Sequence, residues 1–232
     1  MAQIQRVVVH ILGCHVEAKR ANGFDWERIN WAKGTREGRI PHGLHVALES
    51  GAAHLSFGTG ASERAGHKEA VVMAWHAREN VNDLLGLIPD ELQRVLYLLE
   101  FARLDTQTQN TTEEMCSVFD WVQATWPEED VHVVFVTSAF HAARATNEAA
   151  KVAHKLFMDS SVKNVPTYAV SPAYDSPGET FVFEESHRGD MPMIDWSPLK
   201  KLFGLFKKPK VLQELINHMG TQAERIKEGP ND

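Results

Sequence analysis

Apolar runs rich in β-branched residues recur along the chain and predict buried strands. RVVVHILGC at residues 6–14 and VHVVFVTS at residues 131–138 have the nearly continuous apolar character of strands that are covered on both faces. AHLSFGTG at residues 53–60 and VPTYAV at residues 165–170 predict two shorter strands. Residues 101–115 predict a short strand, a polar turn and the start of a helix.

Between these strands the apolar residues recur at helical spacing. The predicted helices cover residues 39–51 with Gly51 as the stop, residues 62–79, a segment that Pro89 opens, residues 142–157 and residues 210–227. Thr111 followed three residues later by Glu114 predicts a capping box at the start of a further helix.

Alternation of strands and helices predicts an α/β fold with a mainly parallel sheet of about five strands and helices on both faces. We find no internal repeat and no Pro-rich or Ser-rich linker, which favours a single domain over residues 1–232. Residues 21–38, which contain Trp26 and Trp31, lack clean periodicity and predict a lid-like loop over the sheet edge. Residues 198–228 predict a C-terminal helical extension that contains a basic segment at residues 200–210.

Composition narrows the classes of function. The chain has 232 residues, of which 43% are hydrophobic and 24% charged, as in ordinary globular proteins. Its formal net charge of -7 argues against a nucleic-acid surface, which needs clustered Lys and Arg. Two cysteines do not make a disulfide framework, and no apolar run is long enough to span a membrane. We therefore expect a cytoplasmic protein without stable membrane association; its oligomeric state is open.

Polar and glycine residues follow each predicted strand at its carboxyl end. The pairs and triplets concerned are Gly13-Cys14, Gly58-Thr59-Gly60, the segment from Asp105 to Thr111, and Thr137-Ser138. In parallel sheets ligands bind outside the carboxyl ends of the strands. The pattern therefore predicts a small-molecule site along this edge.

His141 and Arg144 follow the strand at residues 131–138 and lie three positions apart. If Thr137 or Ser138 caps the following helix, His141 lies in its first turn and Arg144 one turn further on the same face. An imidazole and a guanidinium on one helix face suit a phosphate or carboxylate group. The alternative is that Arg144 forms an ion pair with Glu148 while His141 only covers the sheet edge. The spacing alone leaves both interpretations open.

Other candidate chemistry is weaker. FGTG at residues 57–60 lacks the spacing of dinucleotide-binding and Walker-type loops. His42 and His45 would lie on one helix face, yet no third ligand stands at a matching spacing, so no metal site is predicted. Cys14 at a strand end has the position of a nucleophile, although a packed thiol is the commoner role.

Six short motifs occur in one order between Val7 and Val170. They are ILGC at residues 11–14, Arg39 with Ala47, LSFGTG at residues 55–60, Glu69-Ala70 with Met73, DTQTQNT at residues 105–111, and VTSAFHAARA at residues 136–145. Together they resemble the bacterial domain-of-unknown-function family typified by YdcF, SanA and ElyC. The last motif, which resembles V-T-S-x-x-H-x-x-R-A, is the most specific. Asp105 and Thr108 depart from that family's usual Glu and Ser, and FGTG interrupts its double glycine.

The resemblance implies a Rossmann-like three-layer sandwich with a pocket lined by acidic and hydroxyl groups. It also implies S-adenosylmethionine as a candidate cofactor, because the YdcF branch is associated with its binding, while no reaction is firmly attached to the family. Carried over residue by residue, the implied site is Gly13, Arg39, Gly58, Gly60, Glu69, Asp105, Asn110, Thr111, Ser138, His141 and Arg144.

We therefore predict an enzyme, a transferase or hydrolase, that acts on a nucleotide-like or phosphorylated metabolite. His141 is the predicted acid/base and Arg144 the anion clamp, with Glu69 and Asp105 as further catalytic candidates. The remaining predicted ligand contacts are Gly13, Cys14, Arg39, Gly58, Thr59, Gly60, Thr108, Asn110, Thr111, Thr137 and Ser138. Two alternatives stay open: a protein that binds S-adenosylmethionine or a nucleotide without chemistry, and a scaffold that uses the Trp-containing loop as a partner anchor.

Overall fold

The computed structural model describes residues 5–14, 26–31, 37–83, 87–159 and 162–173. Seven strands lie within these ranges: β1 Arg6–Ile11, β2 His54–Gly58, β3 Glu63–Arg64, β4 His67–Lys68, β5 Arg103–Asp105, β6 Val131–Ser138 and β7 Thr167–Ala173. Five of them form one parallel sheet in the order β5-β2-β1-β6-β7, and β3 pairs with β4 in a small antiparallel hairpin.

Six α-helices accompany the strands within the described ranges. They are α1 Trp26–Asn30, α2 Arg39–Glu49, α3 Glu69–Asn80, α4 Pro89–Glu100, α5 Thr111–Thr125 and α6 Ala139–Met158. Helices α2, α3 and α4 share one hydrophobic cluster with the sheet, and α5 and α6 share a second. The α/β Rossmann-like three-layer sandwich is therefore confirmed.

Alternating side chains of β1 supply both clusters. Val9 and Ile11 pack with the α2, α3 and α4 side, whereas Val8 and the following Leu12 pack with α5 and α6. All four side chains are fully buried, as expected for a central strand whose residues point alternately to the two faces. The run that forms β1 is therefore apolar at almost every position because helices cover both faces of the sheet.

The strand order reverses between β1 and β6. These two strands pair in parallel from Arg6 beside Val131 to Ile11 beside Val136, yet the chain leaves them toward opposite edges of the sheet. At such a switch point the connecting segments diverge and leave a crevice at the carboxyl ends of the strands. The predicted site residues thus lie at the switch point, the position at which open α/β sheets bind ligands.

The helix predicted over residues 62–79 is shorter than expected. Residues 63–68 form the β3–β4 hairpin, and α3 begins at Glu69. The hairpin turns at Ala65 and Gly66, whose φ angles of 50° and 82° lie outside the right-handed helical region. Gly66 favours this turn, so local turn chemistry prevails over the helical spacing.

The predicted capping box is wrong by one residue. Asn110, not Thr111, is the N-cap of α5, and its side-chain oxygen accepts a hydrogen bond from the amide of Glu113 at 2.9 Å. The Glu113 carboxylate in turn accepts from the amide of Gln109 at 2.7 Å. Because Asn110 caps the helix, Thr111 and Glu114 take no part in capping; both point inward and are buried.

Replacing Asn110 with alanine should lower the free energy of unfolding by about 1 kcal/mol, because the Glu113 amide loses its acceptor. Urea denaturation of the variant and the wild-type chain measures the difference. Gln109→Ala, which changes an exposed neighbour, is the control and should cost less. Equal losses for the two variants would contradict the capping role of Asn110.

Several predictions fall wholly or partly outside the described residues. Of the predicted lid at residues 21–38, the structure describes α1, Trp31 and the two residues before α2, and it places Trp26 in the core with 3% of its surface exposed. Residues 198–228, with the basic segment at 200–210, lie outside. None of the helices in the described ranges combines the length and apolar character needed to cross a membrane.

Candidate functional site

The carboxyl ends of β1, β2 and β5 meet in direct contact. Thr59, after β2, donates its hydroxyl to the carbonyl of Thr108, after β5, at 2.7 Å, and the amide of Gly60 reaches the same carbonyl at 2.9 Å. Gly13, after β1, lies so close that an added Cβ would be 2.6 Å from Cγ2 of Thr59. The structure therefore brings together the glycine and threonine residues that the sequence had placed at separate strand ends.

Arg39, the first residue of α2, joins the ends of β1 and β6. Its guanidinium is 1% exposed and donates to the carbonyl of Leu12 at 3.0 Å, to the carbonyl of Gly13, and to the hydroxyl of Ser138 at 2.8 Å. The planar fork of arginine is suited to several fixed acceptors at once. Arg39, predicted as a ligand contact, is thus largely engaged in holding the two sides of the β1–β6 crevice together.

Glu69, at the start of α3, is fully buried on the β2 side of the site. One carboxylate oxygen accepts from the amide of Cys14 at 2.7 Å and from the indole of Trp26 at 3.1 Å, and the other accepts from the hydroxyl of Ser62 at 2.7 Å. Donors from three separate segments converge on this one carboxylate. It also links α1, inside the predicted lid, to the floor of the site.

Glu114 is a buried site residue that the sequence interpretation missed. Its Oε1 lies 3.3 Å from the amide of Gly13, and a Cβ on Gly58 would come within 1.8 Å of that oxygen. The sequence interpretation assigned Glu114 to a capping box and therefore did not consider it as a buried residue. Its position four residues before the buried Val118, on the apolar face of α5, could have indicated that it points inward.

Two successive backbone amides after β1 therefore point at carboxylates. The amide of Gly13 faces Glu114 and the amide of Cys14 faces Glu69. In phosphate-binding loops such amides face the ligand anion instead. An anionic group is consequently disfavoured directly over Gly13 and Cys14, and the α6 side of the crevice is the better place for one.

Asp105 ends β5 and shapes the turn that follows it. Its carboxylate accepts from the amides of Gln107 and Thr108 at 3.2 and 3.3 Å and forms an ion pair with Arg103 at 3.4 Å. Burial alone would raise the pKa of Asp105, but the hydrogen bond from Ser117, the charge of Arg103 and the two amides together lower it. The group is therefore held as a carboxylate, which suits an acceptor of ligand hydroxyl groups.

His141 lies in the first turn of α6, which begins at Ala139, three residues before the predicted start, and has Ser138 as its N-cap. Its Nδ1 is 3.1 Å from the hydroxyl of Thr137 and its Nε2 is 3.3 Å from the hydroxyl of Thr111, so the side chain bridges β6 and α5. Only 4% of the residue is exposed. Arg144 is half-buried one turn further along α6.

Glu148, the alternative partner of Arg144, is engaged by other residues. It accepts from Thr112 at 2.8 Å, from Lys151 at 2.8 Å and from Asn147 at 3.2 Å. Burial raises the pKa of Glu148, but the hydrogen bonds from Lys151, Thr112 and Asn147 and the Lys151 charge together lower it. The negative charge of Glu148 is thus balanced mainly by Lys151.

Two further candidates from the sequence were Cys14 and the histidine pair His42 and His45. The half-buried Cys14 receives a 3.7 Å contact from the amide of Asn30. His45 pairs with Glu37 at 2.8 Å, and His42 contacts Ser171 at 2.8 Å. No group of three or more His, Cys, Asp or Glu within the described ranges is placed to hold a metal ion.

A cavity of about 500 Å³ lies elsewhere, against α3 and α4. Its walls include Arg78, Leu96, Tyr97 and Phe101. None of the predicted site residues lines it. The site at the strand ends and this cavity are separate features of the described chain.

Comparison of the chain with protein-family models, with curated proteins and with solved structures found no match. The resemblance to the YdcF-like family therefore rests on the sequence motifs and stays a prediction. The fold is established by the structure independently of it.

Proposed function

We propose that the protein is an enzyme that acts on a small nucleotide-like or phosphorylated metabolite bound over the carboxyl ends of β1, β2, β5 and β6. His141 would transfer the proton and Arg144 would hold the anionic group. The reaction class that this proposal favours is group transfer or hydrolysis. S-adenosylmethionine is the candidate cofactor, on the strength of the family resemblance alone.

The observation that supports the proposal best is the distribution of buried ionisable groups. Five of them lie at or just beyond the carboxyl ends of the strands: Arg39, Glu69, Asp105, Glu114 and His141. Burying such groups is costly, and sheets do not need them for stability. Their concentration at the carboxyl ends of the strands, where the strand order reverses between β1 and β6, is typical of a functional site.

The charges in this region also orient the ligand. Carboxylates surround the ends of β1, β2 and β5, whereas the start of α6 carries His141 and Arg144 and the partial positive charge of a helix N-terminus. A ligand with its anionic group toward α6 and its hydroxyl or amino groups toward Asp105 and Glu69 would match both halves. Sugar phosphates and nucleotides have this polarity.

The geometry of His141 supports the second candidate, binding of a nucleotide or S-adenosylmethionine without chemistry. Both ring nitrogens already lie near hydroxyl groups, those of Thr111 and Thr137, and the residue is almost fully buried. A proton-transferring imidazole must exchange one of these partners for the substrate. In the binding alternative His141 instead holds α6 against α5 and the strand end.

Thermal unfolding against a ligand panel tests the proposed site. The panel holds S-adenosylmethionine, its demethylated product, adenine and uridine nucleotides, sugar phosphates and inorganic phosphate. A ligand at about 100 times its dissociation constant should stabilise the fold by about 2.7 kcal/mol, which raises Tm by several degrees. Arg144→Ala should abolish that rise for phosphorylated ligands, because the anion loses its charged partner.

Lys155→Ala, which removes an exposed cation of the same helix, is the matched control and should keep the wild-type rise in Tm. His141→Ala, compared with the exposed His154→Ala, then separates the two candidates. Turnover that disappears in His141→Ala while the ligand still binds supports the enzyme. Recovery of the ligand unchanged after long incubation with wild-type protein supports binding without chemistry.

A further inference from the structure

His10 occupies an unusual place for an imidazole, the interior of the central strand β1. The residue has no exposed surface, its Nδ1 lies 3.0 Å from the hydroxyl of Ser56, and its ring meets the edge of Phe135. Its Nε2 is buried without a hydrogen-bond partner. A buried polar atom left unpaired costs about 1–3 kcal/mol, so this nitrogen calls for an explanation.

The nearest charged group to that nitrogen is Glu114, which reaches it from α5. Its Oε1 lies 3.7 Å from Nε2 of His10 and 3.3 Å from the amide of Gly13. Burial raises the pKa of Glu114, and the negative charge of Glu69 on α3 acts in the same direction, while His10 and the Gly13 amide oppose them. On balance the pKa of Glu114 is raised, so the carboxyl group keeps its proton at pH values above the ordinary range for glutamate.

One proton would satisfy both buried groups. A hydrogen on Glu114 Oε1 would give Nε2 of His10 the donor it lacks, and it would remove a desolvated negative charge beside Glu69. The Gly13 amide can still donate to the same oxygen. At 3.7 Å the two atoms are beyond hydrogen-bond length, so a small shift of the two side chains must bring them together.

We propose that Glu114 and His10 share one proton beneath the site and so position the loops that follow β1 and β2. Glu114 contacts Gly13 after β1 and fills the space beside Gly58 at the end of β2, where a Cβ would be 1.8 Å from its oxygen. It therefore sets the separation of the two loops. The pair acts on the site only through the backbone, so it is a positioning pair whatever chemistry the site performs.

The surroundings of the pair contain few competing charges. Glu69 faces Glu114 from α3, and Arg103, at the start of β5, lies 3.5 Å from the Ser56 hydroxyl that contacts His10.

The partly buried His42, His54 and His132 have pKa values lowered from 6.5 chiefly by burial. Those three histidines are the same in the wild-type chain and in a Glu114 variant, so their titration cancels when the two chains are compared.

The test compares Glu114→Gln with Glu113→Gln in the full chain. Glutamine keeps the approximate size and shape of protonated Glu114, but it has no carboxyl proton to lose. An acid with a raised pKa in the fold gives stability that is present at low pH and lost as pH rises through that value. At pH values above the ordinary glutamate value of about 4.3 and below the raised folded value, unfolding of the wild-type chain should therefore release more protons than unfolding of Glu114→Gln, by up to about one proton. Glu113→Gln, an exposed neighbour on the same helix, should match the wild type.

Potentiometry during guanidinium unfolding measures the protons released. Equal release from the wild type and Glu114→Gln overturns the proposal. If Glu114→Gln does not fold, NMR of the wild-type chain with ¹³C-labelled glutamate carboxyl groups decides the question without a variant. A glutamate that titrates well above the ordinary value of about 4.3 supports the shared proton, and titration of every folded-state glutamate near that value overturns it.

Discussion

Arg39→Met should lower the free energy of unfolding by about 3–5 kcal/mol, because each buried acceptor left without a donor costs about 1–3 kcal/mol. Methionine matches the length of the arginine stem but leaves the carbonyls of Leu12 and Gly13 and the hydroxyl of Ser138 without their donor. These acceptors lie at the ends of β1 and β6. We therefore expect the crevice to loosen and binding of any panel ligand to weaken together with stability.

Guanidinium denaturation measures the loss, with two further variants as comparisons. Arg94→Met removes an exposed arginine that donates to the carbonyl of Ala52 at 3.0 Å, and it should cost about 1 kcal/mol. Arg39→Lys keeps the charge but replaces the fork with one ammonium, so it should remain much closer to Arg39→Met than to the wild type. If Arg39→Lys were as stable as the wild type, charge and not the fork would account for the role of Arg39.

Gly60→Ala should destabilise the fold by on the order of 3 kcal/mol or prevent folding altogether. A Cβ at this position would lie 2.1 Å from the carbonyl oxygen of Thr106 and 2.4 Å from its carbon. Both are backbone atoms, so no side chain can rotate away to relieve the overlap. The loops after β2 and β5 would have to separate, which also breaks the 2.9 Å bond from the Gly60 amide to Thr108.

Gly51→Ala is the matched control for this experiment. Gly51 has a φ angle of 64° at the end of α2, and a Cβ there meets no atom within 4 Å. Its substitution should cost about 1 kcal/mol, through backbone conformation alone. Thermal unfolding of both variants distinguishes the two mechanisms. Similar losses at positions 60 and 51 would show that the close contact between the two loops contributes little.

The strands were predictable because their physical cause is local. The runs that became β1 and β6 are apolar at almost every position, which follows from burial on both faces of a parallel sheet. The helix after β6 was predicted over residues 142–157, and α6 begins three residues earlier, so that His141 lies in its first turn. The same local reasoning predicted the candidate site at the carboxyl ends of the strands.

The buried polar network was not predictable, because its partners are far apart in the chain. Glu114 and Gly13 are separated by 101 positions, and Arg39 and Ser138 by 99. A sequence pattern shows that Arg39 begins a helix but not that its guanidinium turns inward. For Glu114, a plausible local role in helix capping concealed the tertiary one, since capping boxes and inward-facing carboxylates share the same spacing.

The strand order has a last consequence, for aggregation. Among the described residues, the sheet ends in two edge strands, β5 with three residues and β7 with seven. A strand of three residues offers few backbone groups on which a foreign chain could extend the sheet. Pro172, near the end of β7, has no amide hydrogen to donate and is tolerated only at such an edge. Both border strands thus carry features that discourage intermolecular β-pairing, and the central apolar strands β1 and β6 stay between them.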